Sequence, residues 1–371
     1  MRGPAVQPIV IAAGGTGGHF FPSEALAAEL ITRGHRIVLM TDARSGGLSS
    51  TVFAGHERHV LRGAGIAGRG ITRAGQAMLS LATGIAQARG ILSRLRPSVV
   101  VGFGGYPCVA PVIGARLLFR QPAVILHEQN AVLGRANRFL ASRADALALS
   151  FAATSRVPRG TSAMITGNPV RPAIAALARS AYLAPRDRVR LLVLGGSLGA
   201  RVFSDIVPAA LRDLPAAARA GLSVVQQCRP EDLDRVRAAY DEAGIAAELA
   251  PFFSDIADKL LAAHLVIARA GASTVAELTV AGRPAILVPL PGAIDDHQTA
   301  NAGALAQAGG AWAIPQAAFS TTALRDRLME LIENPVMLTR AAVAARSLVN
   351  ADAAAKLADL VEAHMHQEVR S

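Results

Sequence analysis

The chain holds 371 residues, room for two or three domains at about 150 residues each, and its 51% hydrophobic and 18% charged content supplies a large core and excludes intrinsic disorder. Lys and Arg number 38 against 27 Asp and Glu, a formal net charge of +11, while an aromatic content of 4% argues against a single-strand nucleic-acid binder built on stacking platforms. The two cysteines, Cys108 and Cys228, cannot make a disulfide framework, and no run of about 18 apolar residues exists, so a reducing compartment is expected and a secreted or membrane-spanning protein is not.

Short apolar runs alternate with helical patterns along the whole chain, which predicts an α/β fold with parallel sheets. The first half is expected to hold six strands, at 8–13, 36–41, 99–102, 123–127, 146–150 and 163–166. After the first of them comes GGTGGHFFP from Gly14, where Pro22 suits a first helical turn, Leu26 and Leu30 share a buried face, and Gly34 ends the helix. Farther on, Met78, Leu81, Ile85, Leu92 and Leu95 fit one face of a helix with arginines at both ends, a pattern that suits either a core-facing helix or insertion into an anionic leaflet. Pro169 and Pro172 place a hinge near Gly167–Pro172. The second half repeats the plan with strands at 189–195, 223–227, 246–249, 265–268, 285–289 and 311–314. Its opening, LLVLGGSLGARVF, copies the strand, glycine cluster and helix of the first, and Gly14 and Gly195 stand 181 residues apart, the spacing of duplicated domains rather than of a solenoid. The expected architecture is therefore two Rossmann-like domains facing across a cleft, 1–168 and 169–345. The tail, 346–371, is expected to form a helix packing back onto the first domain.

Charge is distributed unevenly. Met1–Arg171 carries 19 Arg, no Lys and 6 acids, whereas 172–371 carries 19 basic and 21 acidic residues. Nine arginines and no acid lie between Arg58 and His127. This predicts a basic surface facing anionic lipid or an acidic substrate; nucleic acid is not the expected partner, because no helix-turn-helix, zinc or RNA-recognition signature accompanies the charge.

Glycines after a strand permit a tight turn and let backbone N–H groups approach an anion at the next helix N-terminus. Neither GGTGGH nor GGSLGA reads as GxGxxG, and no GxxxxGK[ST] occurs. Asp42 does stand where a dinucleotide-binding protein places its ribose carboxylate, which keeps an NAD-dependent oxidoreductase as a weak rival. A third glycine cluster, Gly102–Pro107 (GFGGYP), ends another strand.

GGTGGHFFP, VGFGGYPC, HEQNAVLGRAN, TGNPVRP, GGSLGAR, ARAGASTVAEL and DHQTANA occur in this order between Gly14 and Ala302. Together they make the chain similar to the bacterial glycosyltransferases that form lipid II. The resemblance spans nearly the whole chain and implies a GT-B fold and an inverting transfer of GlcNAc from UDP-GlcNAc to undecaprenyl-diphospho-MurNAc-pentapeptide (lipid I). It implies no cofactor, and Asp295-Asp296 is not a DxD metal clamp. A peripheral position on the cytoplasmic leaflet follows from the lipid-linked acceptor. A UDP-sugar epimerase on the same fold is the nearest alternative; it would leave the basic half without a use.

Thr16, Gly17 and Gly18 belong to the first loop as substrate-binding positions. His19 closes it, and an imidazole can accept the acceptor hydroxyl's proton, donate to a diphosphate, or cap the helix. Glu128 is the alternative base, Asn130 suits sugar orientation, and Tyr106 suits stacking on the lipid-linked substrate or core packing. The resemblance gives Arg171 and Ser197 roles at the leaving diphosphate; the plainer readings are a solvated arginine and a helix N-cap. Ser273 reads as an N-cap with Glu277 one turn into the helix. The resemblance makes Glu277 a bidentate acceptor for the ribose hydroxyls, sets Ser273 and Thr274 beside the nucleotide, and turns the Phe253 backbone to uracil. It also has Gln298 bind GlcNAc hydroxyls, for which an amide is suited. Thr299 stands where some relatives carry a second glutamine, and Gln226-Gln227-Cys228-Arg229 departs from a His-Gln-x-Gly stretch, with altered loop geometry expected. Met78, Leu81 and Ile85 are expected on the acceptor and membrane side.

Overall fold

The structure, a computed structural model, describes residues 7–15, 17–43, 50–62, 71–196 and 199–365. The chain divides into two compact units: one runs to Arg171 and resumes at Asp352, the other is Pro172–Ala351.

The first unit is one parallel sheet of seven strands: β1 (Ile9–Ala12), β2 (Ile37–Asp42), β3 (Glu57–Leu61), β4 (Val99–Gly102), β5 (Ala123–Glu128), β6 (Ala146–Leu149) and β7 (Ala163–Ile165), in spatial order 3-2-1-4-5-6-7. Continuous apolar runs such as IVIA suit β1, which has neighbours on both edges and helices over both faces. Ile9 and Ile11 face the core under α1 (Gly17–Thr32), with Phe20, Leu26 and Leu30. Val10 and Ala12 face the opposite core, shared with Leu92 of α2 (Ile71–Leu95) and Val112 of α3 (Val109–Arg116). A short α4 (Arg135–Leu140) follows β5. Only six strands are expected from sequence; the seventh, β3, reads ERHVL, too polar to signal a strand because it lies on the sheet edge beside β2 alone. The first helix also begins earlier than Pro22 suggests, so Pro22 lies inside α1, where it offers no N–H to the Gly18 carbonyl.

The second unit opens with α5 (Pro172–Ala175) and holds β8 (Val189–Leu194), α6 (Arg201–Arg212), α7 (Ala216–Ala220), β9 (Leu222–Gln227), α8 (Leu233–Glu242), β10 (Ala246–Ala250), α9 (Ile256–Ala262), β11 (Leu265–Ala268), α10 (Ala272–Ala281), β12 (Ala285–Leu287), α11 (His297–Gln307), β13 (Ala311–Ala313), α12 (Thr321–Glu333) and α13 (Pro335–Ser347). Its six parallel strands are ordered 10-9-8-11-12-13. Each unit thus carries the central strand order of a doubly wound sheet, whose ligands bind beyond the carboxyl ends of the strands.

The boundaries fall at 171/172 and 351/352, a few residues past the expected ones. The reason at the second boundary is α13, whose Arg346 donates to the Ala178 and Ser180 carbonyls at 2.7 and 2.6 Å and so stays with the second unit. The last helix, α14 (Ala353–Met365), lies against α1. Leu357 and Val361 complete the core around Leu26 and Leu30, while Arg33 pairs with Asp359 at 2.6 Å and Glu362 at 2.7 Å. His35 meets the other oxygen of Glu362 at 2.7 Å, and that contact, with Arg33, holds the Glu362 carboxyl below its ordinary range.

Candidate active site

The carboxyl ends of β1, β4 and β5 bring three sequence motifs of the first unit together. His19 sits in the first turn of α1, half-buried, with the exposed Gly18 before it and the buried Gly17 at the helix start. The first-turn N–H groups of this helix have no partner within it, which suits a diphosphate. Thr16 lies outside the described residues. Across from His19 runs the second glycine loop: at Gly105, whose φ is +68°, a Cβ would come within 3.3 Å of His19 Nε2, so glycine here both permits the turn and leaves room for the imidazole. Behind the ring, His19 Nδ1 lies 3.1 Å from Gln129 Oε1.

Glu128 ends β5 and is 2% exposed. Its Oε1 accepts from the Asn130 N–H and Nδ2 at 2.9 and 3.0 Å, and its Oε2 from the Gly134 N–H and Asn137 Nδ2 at 2.8 and 2.9 Å. Four donors on a buried carboxylate hold the turn into α4 in shape and orient the Asn130 amide. Asn137, which no sequence signal singles out, also donates to the His127 carbonyl at 3.0 Å.

Tyr106 opens a short 3-10 turn after the second loop and borders a recess with Thr41, Asp42, Leu61 and Arg62. The Arg171 guanidinium lies 4.9 Å from the centre of the Phe21 ring, a cation–π contact that sets this arginine near the first loop, since Gly17 packs against the same ring. The expected membrane-facing trio divides. Met78 is 74% exposed, but Leu81 and Ile85 pack on the core shared with α3, because the broad apolar face of α2 is mostly spent on the sheet. The exposed apolar residues here are Met78 and Leu79, with Leu117 and Phe119 just past α3; Arg89 of α2 donates to the Leu117 carbonyl at 3.1 Å. Leu117 and Phe119 escaped the sequence reading because they stand outside any periodic pattern.

In the second unit the loops after β8, β9, β10, β11 and β12 carry the remaining candidates. Ser197 lies outside the described residues. Gln227 stitches the loops together: its Oε1 accepts from the Gly195 N–H at 3.1 Å, and its Nε2 donates to the Gly196 and Pro251 carbonyls, both at 3.0 Å. Gln227 stands where the His-Gln-x-Gly stretch also has glutamine, and its amide ties the glycine loop to the loop after β10. Phe253 is buried and Phe252 exposed, and α9 begins at Ile256 after Asp255. Ser273 is not the N-cap of α10. Gly271 is, without a side-chain cap, which puts Ser273 inside the first turn with its hydroxyl buried and unpartnered by protein. Thr274 and Glu277 follow on the same helix, both half-buried. Gln298, in the first turn of α11, accepts from the Leu290 N–H at 2.9 Å, so its oxygen is committed and its NH2 is the end that can donate. Asp296 accepts from the Thr299 hydroxyl at 2.7 Å and holds no backbone cap. Among the described residues no group of three or more His, Cys, Asp and Glu is placed to hold a metal ion.

Residues 9–149 match the glycosyltransferase family 28 N-terminal domain and residues 190–361 its C-terminal domain. Over 363 residues, 97% of the chain and 94% of the relative, it is 63% identical to the UDP-N-acetylglucosamine–N-acetylmuramyl-(pentapeptide) pyrophosphoryl-undecaprenol N-acetylglucosamine transferase of Granulibacter bethesdensis. Identity to the transferase of the same name from Acidiphilium cryptum is 54% over the full length of both. The crystal structure of Acinetobacter baumannii MurG superposes with a TM-score of 0.76 at 30% identity, covering 96% of this chain and 99% of that one.

Proposed function

The chain belongs to glycosyltransferase family 28, and within it to the bacterial lipid II-forming GlcNAc transferases; from that premise we propose how its own residues carry the reaction. The enzyme transfers GlcNAc from UDP-GlcNAc to the MurNAc 4-hydroxyl of undecaprenyl-diphospho-MurNAc-pentapeptide, in peptidoglycan synthesis. The acceptor oxygen attacks the anomeric carbon from the face opposite UDP. Its proton passes to His19 Nε2, and the electron pair of the breaking C–O bond leaves with the diphosphate. The observation that carries this reading is the seating of His19 at the N-terminus of α1 with Nε2 against Gly105. The alternative base, Glu128, already accepts from four donors; its role is to shape the loop and point Asn130 at the acceptor sugar.

Arg171 and Ser197 are assigned to the diphosphate of UDP-GlcNAc, Glu277 to the ribose hydroxyls, Ser273 and Thr274 to the nucleotide, the Phe253 backbone to uracil, and Gln298 to GlcNAc through its NH2. Thr16, Gly17 and Gly18 hold the acceptor diphosphate, with Tyr106 beside it. UDP release in EDTA, with and without a short-chain lipid I analogue, tests the reading. Release that requires the acceptor, together with a disaccharide-lipid product, is the expected outcome. Release or epimerisation of the sugar without acceptor would overturn it in favour of the epimerase.

The basic half is assigned to the membrane surface, with the enzyme peripheral on the cytoplasmic face of the inner membrane. Among the described residues no helix is long and apolar enough to cross a membrane. Met78 and Leu79, exposed on α2, and Leu117 and Phe119, exposed past α3 where Arg89 donates to the Leu117 carbonyl, supply apolar insertion in a half rich in positive charge. A Met78→Glu/Phe119→Glu variant is expected to lose about 10-fold or more of its affinity for phosphatidylglycerol vesicles while turning over a water-soluble acceptor normally. Unchanged vesicle binding would remove these residues from the membrane contact.

A further inference from the structure

Two buried polar side chains behind His19, those of Gln129 and His127, take no part in the steps above. Gln129 is 1% exposed and His127 fully buried, so every polar atom they carry needs a partner. Their partners form one chain. Gln129 Nε2 lies 2.9 Å from the Phe103 carbonyl oxygen and 3.1 Å from His127 Nδ1. A carbonyl only accepts, so the amide nitrogen, not its oxygen, must face Phe103; the reverse orientation would set two oxygens against each other. His127 Nε2 lies 3.0 Å from the Gly167 carbonyl and must therefore carry its proton, which leaves Nδ1 to accept from Gln129. Burial pushes His127 down to about 4, so it stays neutral and keeps this tautomer at physiological pH. With its nitrogen committed on that side, Gln129 can turn only its oxygen to His19, and the oxygen requires an N–H there. At 3.1 Å that N–H is Nδ1.

We propose that Gln129, oriented by His127 and the Phe103 and Gly167 carbonyls, is a positioning residue that fixes His19 as its Nδ1–H tautomer and so leaves the lone pair on Nε2, the nitrogen facing the glycine loop. Imidazole in water favours the opposite tautomer, which would place a proton where the acceptor's proton has to go. The inference rests on His19 being the base, as proposed above, although the tautomer itself does not. An amide in this place aligns the ring without a second charge, whereas a carboxylate would hold the imidazolium and delay its proton release. The ionisable groups around the pair are His127, Glu128 and Cys108. The Cys108 thiol, pushed up to about 12 by burial, is neutral like His127, and the Glu128 carboxylate is covered by its four donors.

The tautomer is read in the wild-type protein. In nitrogen NMR of the full chain labelled at histidine, with His19 assigned by difference from His19→Gln, Nδ1 is expected to resonate as a protonated nitrogen and Nε2 as an unprotonated one. In Gln129→Met the proton is expected to move predominantly to Nε2, with kcat falling about 10- to 100-fold and the KM of both substrates changing less than about 3-fold. Gln129→Glu, which restores an acceptor toward Nδ1 but sets its second oxygen against the Phe103 carbonyl, is expected to return the Nδ1–H form, recover part of kcat and shift the acid limb of the pH profile to higher pH, at a cost in thermal stability. A proton on Nε2 in the wild type, or a tautomer and acid limb unmoved in Gln129→Met whatever its activity, overturns the proposal. The expected tautomer together with a His19→Gln variant of full kcat would leave the positioning intact and overturn instead the reading of His19 as base.

Discussion

Replacing His19 with glutamine is expected to lower kcat about 100- to 10,000-fold, the range for loss of a positioned general base, with the KM for UDP-GlcNAc little changed. Glutamine can still donate through its amide to a diphosphate oxygen, so a diphosphate-binding role for His19 would instead raise the acceptor KM and spare kcat. The acid limb of kcat should disappear with the imidazole, because protonation of the base is what removes activity as pH falls. Glu128→Gln separates the two carriers. Its amide would turn an NH2 toward donors that now meet a carboxylate oxygen, Asn130 on one side or Gly134 and Asn137 on the other, leaving buried donors without an acceptor at about 1–3 kcal/mol each. That variant should lose thermal stability together with activity, yet keep the acid limb. Steady-state kinetics over pH, beside a melting curve, distinguishes these outcomes: a His19→Gln variant with full kcat, or a Glu128→Gln variant that is fully stable but has lost the acid limb, would exchange the two roles.

Both sheets were legible because their central strands are buried on two faces and read as unbroken apolar runs, IVIA in β1 and LVIA in β11. The edge strand β3 was not, since three of its five residues, Glu57, Arg58 and Val60, are exposed and nothing in their pattern separates them from a loop. The motifs marked the loops that matter, and the structure brings His19, Glu128 and Asn130 to the carboxyl ends of β1 and β5, which flank β4. What sequence could not give is which polar group holds which. Glu128 and His19 are both plausible bases when only their types are read; the difference lies in four hydrogen bonds to one and a glycine-lined opening beside the other. The apolar face of α2 shows the converse failure: 3.6-residue periodicity finds Leu81 and Ile85 correctly as one face but does not say whether sheet or lipid lies against it. Ser273 was misread as a cap for a similar reason, because Gly271 starts α10 through its backbone alone and leaves no side-chain signature.

The largest effect on the donor side is expected from Gly195→Ala. Gly195 follows β8 directly, and the chain turns back so sharply that a Cβ there would run into the Ala200 amide nitrogen and come within 2.7 Å of the Gly199 carbonyl carbon. These are backbone atoms of the same turn, held by the Gly199 N–H to the Gly196 carbonyl at 3.1 Å, and they cannot yield without opening it. Gln227 resists that opening, being bonded to the Gly195 N–H and the Gly196 carbonyl at once. Either the turn opens and its backbone is displaced, or the clash remains as strain; misplacement by about 1 Å is enough to lose about 100-fold. Gly196→Ala is the internal control. Its φ of +80° disfavours a side chain, yet nothing lies within 4 Å of the new methyl, so the expected penalty is backbone strain of about 1–2 kcal/mol with much weaker loss of nucleotide binding. Calorimetric titration with UDP ranks them: Gly195→Ala weaker than Gly196→Ala, and Gly196→Ala weaker than wild type. A Gly195→Ala protein that binds UDP within about 3-fold of wild type would show that this turn does not form the phosphate cradle, and the diphosphate would then have to be held elsewhere in the second unit.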